Sequence, residues 1–598
     1  MGVPKLFHTL IQQYHHNKVT NPTGYYIIKH KINNDLPSHF YLDFNGGIYQ
    51  CIKPEIQTEE TLILHVIEYL EILCSIIPNL ELIYIAFDGV APQGKIAQQR
   101  QRRFHSICRT NRSNKIIERF GTDIDKQKPH SPIDSNMFTP GTSFMYNLGL
   151  AIKRTIQTGG TNGIFKNKTV ILSDSSIPGE GEHKIIHHIK ESQTTYNYPH
   201  NTIIYALDND LIFLSLSLHL DNTYLFRESD EYGKLATIHM GSSYKKFLYM
   251  DVSELSEALI SYFKDTYGCT KFDGTIGTKN RYIDDYIFLG MMLGNDFMPK
   301  CHWFSIAEGG FEKFLSAYWQ IHNHTELFLV NTHAMTINTE MLCDLLYLIK
   351  DQEQSAVEML FTKRKKAKIF IPHESNELQR QQLLTDFYPL LHLYVEQQID
   401  PFKPNWRDRY YKVCFHLAAN PQNLKMITQA YLKTLVWNFH YYFDECISWD
   451  WDYPFAYSPT FSDIYNELLQ QKNINVTSSN KLFHFPKSTP LEAQTVLLMV
   501  LPWASRKFMA QDIQRKLALE TCPLRIYFPK RYALNVAFHR YYHECTSIIY
   551  KMDKTKVQKF MNECKLTEDE LKRNVVSKPF IITPPSPTNT LTNQPIDN

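Results

Sequence analysis

The feature that most constrains this chain is a series of apolar, strand-like runs that each end in an acid. The runs are HFYLDFNGG (39–47), LIYIAFDGV (82–90), TVILSDSSIPGEGEH (169–183), TIIYALDNDL (202–211) and YIFLGMMLGNDFMP (286–299). They carry seven carboxylates: Asp43, Asp88, Glu180, Glu182, Asp208, Asp210 and Asp296. Apolar runs alternating with helix-like stretches from residue 39 to about 310 predict an α/β domain with a largely parallel sheet, which binds ligands at the carboxyl ends of its strands. Segment 59–77 (EETLILHVIEYLEILCSII) reads as an amphipathic helix between the first two strands. A right-handed crossover there puts Asp43 and Asp88 on one edge. So many like charges stay ionised together only around bound metal, and hard cations such as Mg²⁺ or Mn²⁺ suit an all-carboxylate pocket.

The pairs sharpen this reading. On an extended strand, Asp208 and Asp210 at i and i+2 point to one face. Glu180 and Glu182 flank Gly181 where a turn leads into the helix-like HKIIHHIKE. Two metal ions about 4 Å apart activate water on one side of a phosphodiester and neutralise the leaving oxygen on the other. Hydrolysis of a nucleic acid backbone is the leading reaction; a structural cation site does not need this many acids. After Asp88 follows DGVAPQGKIAQQRQRRFHS, where Lys95, Gln99, Arg102 and Arg103 fall on one helical face roughly 100° wide. Three cations and an amide on one face form a pocket for a terminal phosphate.

At 598 residues, 43% of them hydrophobic, the chain has the length for more than one core. The net charge of +2 excludes a uniformly basic nucleic-acid binder but not local basic patches offset by the acid cluster. Eleven cysteines without a C-x-x-C pair point to reduced thiols and no cysteine-bound zinc. No leader and no apolar run of transmembrane length is seen, so no membrane association is expected. The start MGVPKL lacks the Ser or Thr at position 6 that myristoylation wants.

The polar stretch 110–135 reads as a mobile surface loop, and 379–399 and 421–443 read as long helices. The basic run KRKKAK (363–368) reads as a solvated loop rather than an RNA-contacting or import patch. The end, from 577, is expected to be disordered.

The segments MGVPKLF, YLDFNGGIY, FDGVAPQGKIAQQRQRRF, DSNMFTPGTSFM (134–145), SDSSIPGEGEHKI, YALDNDLIFLSL, LFRESDE and GNDFMP, in this order, resemble the Xrn family of 5′→3′ exoribonucleases. ISWDWDYPFAYSP (447–459) resembles the aromatic segment of that family's helical region. The resemblance implies a PIN-like or flap-nuclease-like domain over 1–320, a helical linker region over 321–420, a second helical region over 421–570 and a tail over 577–598. It makes the seven acids metal ligands for two Mg²⁺, with Mn²⁺ as a substitute, and Lys95, Gln99, Arg102 and Arg103 the pocket for a 5′-monophosphate. The implied activity is processive hydrolysis of 5′-monophosphorylated single-stranded RNA to mononucleotides in mRNA decay. A compact, cytoplasmic monomer fed by a decapping enzyme is expected, with the nucleus as the alternative site. Tyr49 stands where the family usually has a His, and with Trp449 or Trp451 is expected to stack on bases, Trp503 being the alternative. Two other readings are a structure-specific DNA nuclease, whose helix-hairpin-helix is not seen, and a non-catalytic RNA scaffold, which fits poorly with a full set of acids.

Overall fold

The computed structural model describes residues 10, 26–29, 31–53, 56, 58–127, 133–205, 207–228, 237–240, 243–268, 275–472 and 483–584. The MGVPKLF block and residues 585–598 of the tail therefore lie outside the described residues. The first half runs β1 (Ile28–Lys29), β2 (Ser38–Asp43), α1 (Asn45–Gln50), α2 (Glu59–Ser75), β3 (Leu80–Ala86), α3 (Gln93–Phe120), α4 (Ser143–Thr158), β4 (Thr169–Ser173), α5 (Gly181–Ser192), β5 (Asn201–Tyr205), α6 (Asp210–Leu216) and β6 (Thr223–Glu228). It continues with β7 (Thr237–Met240), β8 (Ser243–Asp251), α7 (Val252–Tyr267) and α8 (Ile276–Met292). The helical half contains α9 (Gly310–Thr325), α10 (Thr339–Lys366), α11 (Pro421–Phe443), α12 (Phe461–Lys472) and α13 (Ala493–Val500), and strand β9 (Phe580–Ile582) closes the described chain.

Strand order in the sheet is β1-β8-β6-β5-β2-β3-β4-β9, with β7 on β8. The central five, β6-β5-β2-β3-β4, are parallel. Alternating side chains serve two cores, as expected for strands buried on both faces. Phe40, Leu42, Ile83, Ile85, Val170 and Leu172 meet α2 and α4 on one face. Tyr41, Tyr84, Ile171 and Ile204 meet α5, α6 and the helical half on the other. The chain thus winds outward from β2 to β4 with helices on one face, then returns to β5 and β6 with helices on the other. The switch between β2 and β5 is where such sheets open a ligand crevice.

Several expectations are corrected. The run holding Asp296 is helix α8 followed by a turn, because an apolar stretch buried all round reads alike as helix or strand. Asp208 and Asp210 are not on extended strand: β5 ends at Tyr205 and Asp210 opens α6, where a carboxylate suits the helix N-terminus. Of the supposed loop at 110–135, residues 110–120 are the outer part of α3, which ends where the Gly121 N–H bonds to Ile117 O at 2.8 Å, and Asp123–Gln127 is a further short helix. KRKKAK begins in the last turn of α10: Arg364 is buried, pairs with Glu396 and donates to His539 O at 2.8 Å, while Lys363 meets Glu308 at 2.8 Å. The expected helix at 379–399 breaks into Glu377–Asp386, Tyr388–Leu391 and Tyr394–Gln397, with Pro389 unable to continue the first. The helix expected at 421–443 forms over those residues, capped by Asn420. The tail is ordered at Phe580–Ile582, which pairs antiparallel with β4. Among the described residues no helix is long and apolar enough to cross a membrane.

Candidate active site

At the carboxyl ends of β2, β3, β4 and β5 lies a cavity of about 760 Å³ lined by Asp43, Asp88, Glu180, Glu182 and Asp208, and on its far wall by Gln99, Arg102 and Arg103. Backbone geometry brings the acids together. Asp43 is the last residue of β2, and the N–H of Gly181, the first residue of α5, donates to Asp88 Oδ1 at 2.8 Å. A Cβ at position 181 would lie 2.5 Å from Asp43 Oδ1, so only glycine lets α5 approach this closely. Position 89 is tighter still: a Cβ there would lie 1.8 Å from Ile177 O, in the loop that carries Glu180. Asn45 steadies Asp88 by accepting its N–H at 3.3 Å.

Asp210, which is buried, and Asp296, whose side chain is 6% exposed, do not line this cavity. Lys95, on the first turn of α3, reaches in among the acids, pairing with Glu180 and donating to Asp296 at 2.9 Å. Burial pushes Asp43 well above the usual carboxylate range, with Asp88 and Asp208 adding to it. Glu182 is likewise held well up by burial against the opposing pull of Lys95, and Glu180 is raised in the same way. Asp210 is pushed up to about 8 by burial, Asp208 and Asp296. Burial also pushes Asp296 upward, but the surrounding cations, Lys95 foremost and Arg102 among them, together hold the carboxyl below its ordinary value. One lysine does not neutralise the cluster, so carboxyls here keep protons that a cation would displace. The donors facing the cavity are carboxylate oxygens, which fit a hard divalent cation. The atoms of Glu180, Glu182 and His183 also lie within 4.8 Å of one another, but burial holds His183 down to about 3 and its ring packs on Tyr441 at 3.8 Å.

The phosphate-pocket residues share one face of α3 as expected, with a difference at Lys95. Its ammonium is engaged with acids, which leaves Gln99, Arg102 and Arg103 as the free-standing wall. Arg103 is fixed by Asn136 Oδ1 at 3.3 Å and by Thr139, within the DSNMFTPGT segment. Tyr49 lines the cavity, half-exposed, with its ring edge-on to Phe138 at 5.2 Å.

Trp449 and Trp451 do not line this cavity. The Trp449 carbonyl accepts the N–H of Gln93 at 2.8 Å, and the Trp451 indole donates to Thr434 at 3.2 Å with Lys433 over its ring. The segment joins the start of α3 to α11, and the Trp451 ring is engaged there, while the Trp449 side chain is half-buried. Trp503 sits on the turn Trp503–Phe508, whose Ser505 hydroxyl donates to Asp134 at 2.9 Å and accepts from Asn136 at 2.9 Å, beside the cavity wall.

Other site residues carry no signal in the acid pattern. Tyr441 of α11 donates its hydroxyl to Glu180 Oε1 at 2.8 Å, and Asn295 donates to Tyr442 and Asn438 at 3.3 Å. Lys184 donates to Phe87 O at 2.7 Å and Asp174 O at 3.0 Å, tying the ends of β3 and β4, and burial brings it down to about 7. The GEGEHK motif contains Lys184, and the aromatic run NFHYYF in a helical pattern was the available hint for Tyr441.

The sheet and its acid cluster define a nuclease of the PIN-like α/β class with a helical partner region. Residues 1–229 match the family model described as the XRN 5′-3′ exonuclease N-terminus, and residues 278–390 and 394–593 match the Xrn1 helical domain. The chain belongs to the XRN 5′-3′ exonuclease family. It is 25% identical to the 5′-3′ exoribonuclease 2 homolog of Caenorhabditis elegans, over 90% of this chain and 67% of that protein. The Drosophila melanogaster homolog is also 25% identical, over 96% and 72%. The human 5′-3′ exoribonuclease 1 is 26% identical over 96% of this chain but only 35% of its own length. Divalent-metal dependence is typical of the family, and the donor set agrees with it.

Proposed function

We infer from this geometry how the enzyme selects and cuts its substrate. The protein is an Xrn-type 5′→3′ exoribonuclease acting in RNA decay. In our reading it takes single-stranded RNA with a 5′-monophosphate and processively removes one nucleotide at a time. The observation that carries this is the shared cavity, with five carboxylates on one wall and Gln99, Arg102 and Arg103 on the other. Arg forks bind phosphate oxygens bidentately, so the two guanidiniums and the amide hold a terminal phosphate dianion. A 5′-hydroxyl forfeits those bonds, and a cap adds bulk where the wall closes. Arg103, fixed by Asn136 and Thr139, needs little ordering when the phosphate arrives. Tyr49 offers a ring to the first bases whatever their identity.

Two divalent cations, Mg²⁺ in this reading, held by Asp43, Asp88, Glu180, Glu182, Asp208, Asp210 and Asp296, would supply Lewis-acid chemistry for phosphodiester hydrolysis. Lys95 pairs with Glu180 and Asp296 and holds them in place, and Tyr441 orients Glu180. Ends of the required kind arise by decapping or internal cleavage, so a decapping activity is the class of reaction that feeds this one.

The test is one 3′-labelled RNA bearing in turn a 5′-monophosphate, triphosphate, cap or hydroxyl, with Mg²⁺ or with chelator. Selective, Mg²⁺-dependent loss of the monophosphate form is expected. Equal degradation of all four ends would refute the role of Gln99, Arg102 and Arg103.

A further inference from the structure

On the other side of α3 lies a second cavity, also about 760 Å³, that the active site does not use. Its charge is one-sided. Arg112, Lys115, Lys530 and Arg531 line it, and no carboxylate does, in a protein whose net charge is only +2. Among the described residues none of these four has a carboxylate within ion-pair distance; Asp386, two residues before Tyr388, pairs instead with Arg109 at 3.7 Å. Lys115, Lys530 and Arg531 are exposed.

Aromatic rings are interleaved with the charges. Tyr388, Tyr394, Trp503 and Tyr532 line the same groove, and Tyr394 is 60% exposed. Arg112 lies over the Tyr388 ring at 4.3 Å, and the Tyr532 hydroxyl is fixed on Phe104 O. A groove that combines unpaired cations with sequence-tolerant π faces suits single-stranded nucleic acid better than an acidic peptide, which has no use for the rings.

Position supplies the rest. Phe104, Ile107, Cys108, Asn111, Arg112 and Lys115 form one stripe of α3, while Gln99, Arg102, Arg103 and Ser106 form another, facing the active site. The two surfaces are joined by one turn: Ser505 is bonded to Asn136 of the active-site wall, and Trp503, two residues earlier, lines the groove. From Lys95, beside the acids where the strand is cut, to Lys115 is ~30 Å along the helix axis.

We propose that this groove holds the single-stranded RNA lying 3′ of the nucleotide being removed, so that α3 carries the 5′ end on one side and the incoming strand on the other. The proposal rests on the exoribonuclease reading above. It makes the groove a binding track that keeps long substrates engaged between cuts.

The test compares 5′-monophosphorylated RNAs of about 4 and about 20 nucleotides; with one nucleotide held between the phosphate pocket and the acids, only the longer reaches the ~30 Å from the cut to the far end of the groove. Affinity for each is measured in chelator, and degradation in Mg²⁺. Lys530→Ala/Arg531→Ala, which removes side chains that make no hydrogen bond or ion pair among the described residues, and Arg112→Gln/Lys115→Ala should each weaken binding of the long RNA on the order of ten-fold at moderate salt. The slope of log affinity against log salt should fall by about 0.7 for each cation lost. Tyr394→Ala should weaken binding without changing that slope. Cleavage of the short RNA should be unchanged, which also certifies folding of the variants. Unchanged long-RNA affinity and salt slope in both double variants would overturn the proposal, as would equal losses on the short and long RNAs. If the unmodified protein degraded neither RNA, the nuclease reading would fail while the affinity data still judged the groove.

Discussion

Replacing Gly181 with alanine separates the stability of the fold from the geometry of the site. The added Cβ would stand 2.5 Å from Asp43 Oδ1 and 3.6 Å from Ala86 O. A carbon settles against an oxygen at about 3.3–3.6 Å, so Asp43 and the first turn of α5 must part by about 1 Å. Stability feels two opposing effects. Alanine is favoured over glycine in a helix by about 1 kcal/mol, whereas overpacking costs about 1–3 kcal/mol, leaving a net loss of about 0–2 kcal/mol. Catalysis has no such compensation. The same shift stretches the Gly181 N–H bond to Asp88, 2.8 Å in length, and displaces Glu180 and Glu182 relative to Asp43. Misplacement by about 1 Å costs on the order of 100-fold in rate, or about 2.7 kcal/mol of barrier. Steady-state degradation of 5′-monophosphorylated RNA, run beside thermal unfolding, reads both quantities. The expected result is a nearly unchanged melting curve with kcat down on the order of 100-fold and KM for RNA little moved. A variant with kcat within about two-fold of the parent would refute the claim that backbone approach at this glycine sets the acid geometry.

Tyr441→Phe removes one hydrogen bond to buried Glu180; a bond to a charged group is worth about 1.5–3 kcal/mol, so kcat should fall roughly ten- to a hundred-fold with RNA affinity retained. Lys95→Met leaves Glu180 and Asp296 buried without their cation and should cost about 3–5 kcal/mol in chelator by denaturant unfolding, with added divalent cation restoring part of it. The pH dependence of the metal-free protein follows from the raised acids. The folded-state pKa of Asp210, about 8, lies above its unfolded value near 3.8, so the folded protein binds the proton more tightly and the contribution is lost as pH rises from about 4 through about 8. Asp43, Glu180 and Glu182 act in the same direction, while the depressed Asp296 acts in the opposite one. In chelator the melting temperature should therefore fall between pH 5 and 8, and stabilisation by a divalent cation should grow over that range, because its binding expels those protons.

Much of the site was legible because local sequence carries it. Asp43, Asp88 and the Glu180–Glu182 pair sit at or just beyond strand ends whose apolar runs are read directly, and the Gln99–Arg103 face needs only helical periodicity. What was not legible depends on contacts across the chain. Lys95 looks like a phosphate ligand in a basic helix until α8 brings Asp296, 201 residues away, to its ammonium. Tyr441 reaches Glu180 across 261 residues, and nothing in a helical aromatic run distinguishes a packing ring from one whose hydroxyl is used. The WDW segment has the composition of a base-stacking site, but the Trp451 ring is occupied by Lys433, Thr434 and Phe485. The tail misleads in the opposite sense. Its Pro- and Thr-rich composition hides three residues that complete the sheet edge, where Phe580 packs under Lys153 at 4.7 Å.

The site's economy lies in α3. Its first turn sends Lys95 into the acid cluster, and the next two turns present Gln99, Arg102 and Arg103 to the far wall of the same cavity. At 1.5 Å per residue these groups stand ~6, ~10 and ~12 Å beyond Lys95 along the axis. The helix is clamped at its start by the Trp449 carbonyl and further along by Arg100, which bonds Met499 O at 2.8 Å and the Tyr527 carbonyl. On the proposed function, a rigid element held at both places would fix the separation between the groups that seat the terminal phosphate and the acids that surround the cut. A loop in its place would let that separation vary, and the length of each product with it. Removal of RNA in units of constant size would then follow from one helix acting as a spacer, with the acids at one end and the guanidiniums at the other.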